Sequence, residues 1–70
     1  MHKITELFAF VACDKDTGDE GLMAMQCGSW FLPMIGADMG RLEELKPIAD
    51  RMMPGNYKIL KFCLVGTIER

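Results

Sequence analysis

The chain is nearly without histidine: its single copy, His2, stands at the start. Cys13, Cys27 and Cys63 lie far apart, so there is no CxxC pair and no Cys/His cluster of the kind that encloses a structural zinc. Three cysteines are also an odd number, too sparse for the disulfide framework of a small secreted domain. They read as free thiols behaving like small hydrophobes in a reducing cytoplasm. Basic charge is scarce as well. Eight Lys and Arg stand against ten Asp and Glu, giving a net charge of -2 and no footprint for a phosphate backbone. Arg41, Arg51, Lys58, Lys61 and Arg70 are interspersed with acids, without the aromatic-basic alternation of a single-strand binder. Nucleic acid is therefore not an expected partner. No apolar run is long enough to span a bilayer, and the opening MHKITEL has no signal-type core with a cleavage site. A soluble, cytoplasmic chain without a membrane segment is the expectation. GxGxxG, P-loop, internal repeat and low-complexity linker are all missing, and no cofactor is implied.

What remains is a composition suited to folding, half hydrophobic and about a quarter charged, in 70 residues. That is one domain, residues 1–70, near the size where a single core is only just sufficient. The segment Asp38 to Met53 suits only a helix. Met39, Leu42, Leu45, Ile48, Ala49, Met52 and Met53 recur at helical spacing and make one apolar stripe. Arg41, Glu43, Glu44, Lys46, Asp50 and Arg51 mostly fill the other side. Asp38 is a good N-cap, and Pro54-Gly55-Asn56 stops the helix. Pro47 removes the bond to the Glu43 carbonyl. Either one helix kinks there or two short helices meet; the stripe keeps its phase across Pro47, which favours the kink.

The rest reads as strand and turn. Ile4 to Cys13 is a strand with Phe8, Phe10 and Ala12 on one face and Leu7, Ala9, Val11 and Cys13 on the other. A turn-forming run, Asp14 to Gly21, leads to a returning strand, Leu22 to Cys27. After Gly28-Ser29 comes a short strand, Trp30 to Leu32, ended by Pro33, which favours an edge. Tyr57 to Thr67 is the last strand, with Leu60, Phe62 and Leu64 on one face and Ile59, Lys61, Cys63 and Val65 on the other. The fold class is thus α+β, a small β-β-β-α-β domain. Its antiparallel sheet is expected in the order 3-2-1-4, with one Pro-kinked helix packed on one face.

One helix covers one face of a sheet, yet the first and last strands are apolar on both. Monomers seldom leave contiguous apolar patches beyond a few hundred Å² in water. Hiding ~400 Å² is worth roughly 10 kcal/mol before entropy is subtracted. Since symmetric pairs are the commonest oligomers, a homodimer is the expected way of covering the surplus. Trp30, Phe31, Met23, Met25, Ile59, Cys63 and Val65 are the candidate interface, with Trp30 also an anchor for a further protein partner.

Chemistry-bearing motifs are weak. Asp14, Asp16, Asp19 and Glu20 crowd one turn, but an EF-hand loop starting at Asp14 would need an oxygen ligand, a glycine and a glutamate where Gly18, Asp19 and Met25 stand. A solvated hairpin turn accounts for it, and no metal site is assigned. Gly36-Ala37-Asp38-Met39-Gly40 opens the helix, where amides could hold an anion, but Asp38 itself fills that place. A catalytic thiol needs a neighbouring base or cation; Lys58 and Lys61 flank Cys63 only in sequence, and no catalytic residue is assigned. The function expected is a non-enzymatic interaction or accessory module that self-associates. The alternative is a small enzyme or ligand-binding subunit whose pocket forms at the dimer interface.

Overall fold

The computed structural model describes residues 3–69. It is an α+β domain with antiparallel strands and one helix: β1 Glu6–Cys13, β2 Glu20–Leu22, β3 Ala24–Cys27, β4 Trp30–Pro33, β5 Ile35–Gly36, α1 Met39–Met52 and β6 Tyr57–Cys63. Everything hangs on β1. Its one edge carries β6 along nearly the full length, from Glu6 opposite Cys63 to Ala12 opposite Tyr57. Backbone bonds from Leu64 N to Thr5 O (2.7 Å) and from Cys13 N to Asn56 O (3.2 Å) prolong the contact at both ends. The first and last strands are therefore neighbours, as the need to bury both requires.

The other edge of β1 departs from the simple order 3-2-1-4. It carries β2 opposite Val11 to Cys13, then β5 opposite Phe8 and Ala9. Together these act as one edge strand interrupted at Phe10, and the interruption is the excursion of residues 23–34. Three backbone bonds knot the junction: Met23 N to Phe10 O (2.9 Å), Phe10 N to Met34 O (3.1 Å) and Met34 N to Met23 O (2.9 Å). With Met23 and Met34 both drawn onto β1, the hairpin between them, β3 and β4, pairs only with itself and forms an arm. At its tip Gly28 takes φ +67° while Ser29 stays at negative φ, so the two-residue turn has glycine at the place a twist-matched hairpin turn needs it.

The helix is a single segment that continues through Pro47, whose ring stands on the exposed side. Asp38 caps it, accepting a bond from Arg41 N at 2.8 Å. Leu42, Leu45 and Ala49 are buried, as the stripe predicts, while Met39 and Met52, at the helix ends, are exposed. The helix packs on the β1 face bearing Phe8, Phe10 and Ala12, and the core cluster is Phe10, Met23, Met34, Leu42, Leu45 and Ala49. Phe10, Met34 and Leu45 are the largest side chains wholly out of water. A Cβ on Gly36 would sit 3.0 Å from Arg41 Cγ and 3.1 Å from Arg41 Cβ, so a larger residue where β5 meets the helix would make the Arg41 side chain shift. The last strand ends at Cys63 rather than running to Thr67, and Leu64 to Glu69 lie exposed.

Candidate interaction surface

Strand pairing decides which side chains share the face away from the helix. Leu7, Ala9 and Val11 of β1 stand on it, flanked by Phe62 and Leu60 of β6, and by Leu22 of β2 and Ile35 of β5. Ala9 and Val11 are small enough to be buried beneath these neighbours. The larger residues are open: Leu7 is 36% exposed, Ile35 37%, Leu22 51% and Phe62 52%. The chain's own tail does not cover them, since Val65 and Ile68 are almost fully in water. At the end of this face nearest the Asp14–Asp19 turn, Lys58 reaches across β1 to Glu20 and forms an ion pair. At the opposite end a small apolar cleft, about 110 Å³, is lined by Ile4, Leu7, Phe62 and Leu64 among others.

The residues expected at an interface are dispersed. Trp30 and Phe31 are exposed on the arm. Met23, by contrast, is sealed at the three-way junction, and Met25 packs against the core. Ile59 lies opposite Phe10 on the helix side and joins the core. Cys63 is exposed, its thiol 4.0 Å from Glu6 Oε2, and Val65 is in the tail. The uncovered face thus takes the other parity of β6, Leu60 and Phe62. Leu7, Leu22 and Ile35 complete it, and nothing short of the strand register could have assigned them.

The acidic turn is held together by its own acids. Asp14 Oδ1 accepts from Asp16 N (2.8 Å) and Thr17 N (3.3 Å), and Thr17 Oγ1 accepts from Asp19 N (3.2 Å). These amide bonds, Asp16 first and Thr17 second, hold the Asp14 carboxyl below its ordinary value. Its Oδ1 thus serves the turn, as aspartate commonly does. Among the described residues no group of three His, Cys, Asp or Glu side chains is placed to hold a metal. His2 lies outside the described residues.

Elsewhere the ionisable groups tie strands and helix together. Tyr57 donates to Asp50 Oδ1 at 2.5 Å, which pushes the phenol above its ordinary 10.0 because the neutral form is the donor. Hydrogen bonds and charge from Glu20 and from Glu6 raise Lys58 and Lys61 respectively. The three cysteines are free thiols. No helix among the described residues is long and apolar enough to cross a membrane. Comparison of the chain with family models, with curated proteins and with solved structures finds no match.

Proposed function

We propose that this chain is a small interaction module that self-associates as a homodimer through the uncovered face of its sheet. The observation that carries the reading is the unfilled layer behind β1: Leu7, Leu22, Ile35 and Phe62 on one face, partly exposed, with no second helix and no tail over them among the described residues. Sheets of this kind bury each apolar face against another layer. Whole-molecule measures support it. The chain exposes 5680 Å², whereas a compact monomer of 7.9 kDa exposes about 4,400 Å². The excess, roughly 1,300 Å² with the arm and tail included, exceeds the ~800 Å² that each partner contributes to an ordinary stable interface. The radius of gyration, 13.6 Å, likewise exceeds the ~11 Å of a compact chain of this length. Free thiols fit a reducing compartment such as the cytoplasm.

Replacing Phe62 by Asp or Leu22 by Lys places a charge in the contact without touching the helix-side core. Light scattering coupled to gel filtration should show the parent at twice 7.9 kDa and each variant at the protomer mass with an unchanged circular dichroism spectrum. Variants that keep the parent's mass would remove the sheet face from the contact.

A further inference from the structure

The arm built by β3 and β4 is tied to its own protomer's core through Met25, and its aromatic side chains stay outside that core. Its strands pair with each other alone, so both outer edges offer unpaired backbone groups. Trp30 is 57% exposed and Phe31 64%, the two largest apolar side chains left in water on that hairpin. From Gly21 to Ala37 the sequence has no charged residue. Edges left to solvent are normally guarded by lysine, other charge or proline along the strand. This one has only Pro33, at its base. A long uncharged, aromatic-tipped hairpin is a surface that expects to be covered.

The same molecule offers an acceptor of matching character. Its open sheet face is apolar at the centre and fenced by the Lys58–Glu20 pair at one end. Dimensions agree. Four-residue strands extend about 13 Å, and a face three strands wide spans about 10 Å between its outer strands. A two-fold pairing needs each copy to present both a donor and an acceptor, which this chain does in equal number. Flat pairing of the two faces alone would leave both arms in water with Trp30 and Phe31 uncovered.

Resting on the self-association proposed above, we infer that the homodimer forms by reciprocal arm exchange: the β3–β4 arm of each protomer lies across the open sheet face of its partner. Phe31, on the hairpin face opposite to the one that carries Met25, is then seated against Leu7, Leu22, Ile35 and Phe62, with Trp30 enclosed at the margin of the contact. The occupant of the face is therefore a second copy of this chain, and the arm is the part that enters.

Trp30 is the only tryptophan, so its fluorescence reports the arm without any substitution. Emission maximum and acrylamide quenching are measured on the parent protein across a dilution series, with the mass followed on the same samples by sedimentation. Arm exchange predicts that emission moves to the blue and quenching falls several-fold as dimer forms, the optical and mass curves coinciding. Phe31→Ala, at an exposed position, should keep the fold and the tryptophan reporter and weaken association by tenfold or more. A dimer whose tryptophan stays red-emitting and fully quenchable overturns the exchange and leaves face pairing in place. A chain that never dimerises overturns the proposed self-association itself, and the exchange with it.

Discussion

At the scale of single residues, polar groups stitch the chain locally and leave the apolar surplus untouched. Asp38 satisfies an orphan amide of the helix start. Asp38→Ala should therefore cost about 1 kcal/mol in urea unfolding; no change would mean that Asp38 is not the working cap. Tyr57 is the sole tyrosine, so its titration is read directly by ultraviolet absorbance. Its midpoint should lie above 10.0 in the folded protein and fall back towards that value in Asp50→Asn, where the charged acceptor is gone. The signs for stability follow. Tyr57, Lys58 and Lys61 have raised values, so what they add to folding is complete below their unfolded values and lost as pH climbs through the folded ones, above about 10. Asp14 is lowered, so its contribution is present above its ordinary 3.8 and lost as pH falls through the folded value. Thermal unfolding between about pH 5 and 9 should be insensitive to these four groups and weaken on either side. The N-cap was legible in the sequence because a cap is local. The Tyr57–Asp50 bond was not, because it joins a helix to a strand whose relative placement no local pattern fixes.

At the scale of elements, the helix was the most legible and the second strand the least. Leu42, Leu45 and Ala49 mark a buried stripe by spacing alone, and the structure buries them. Pro47 lies within that helix on its solvent side. Pro47→Ala restores an amide for the Glu43 carbonyl without emptying any packed space, and should raise stability by about 1–3 kcal/mol. A loss of stability in the urea midpoint would show that the proline is needed for the path of the helix. The segment Leu22–Cys27 reads as one strand because all its residues but Gln26 are apolar and no turn former interrupts it. It divides at Met23 because Phe10 offers both its amide and its carbonyl to the junction with Met34. Such a three-way join is a tertiary event, invisible to alternation. The same limit applies to the faces. β6 is apolar on both sides, so alternation separates Leu60 and Phe62 from Ile59 without saying which set lies under the helix; only its register with β1 does.

At the scale of the whole molecule, one helix, with the buried Met23 and Met34, is asked to enclose a sheet that is greasy on both sides. They enclose one side. The area and the radius both exceed those of a closed globule of this mass, and the surplus is of the size an interface removes. Association should then stabilise the fold by mass action, so the thermal midpoint of the parent should rise with protein concentration while that of Phe62→Asp stays fixed. A parent midpoint that is constant over a hundredfold dilution would separate folding from association.

Sedimentation equilibrium of the unmodified chain tests the central claim most directly. Two copies per particle, twice 7.9 kDa, at concentrations of about 10 µM and above is the result that a half-covered sheet predicts. A single protomer mass persisting to about 1 mM would contradict it, and the back of β1 would have to be accepted as a face that stays in water.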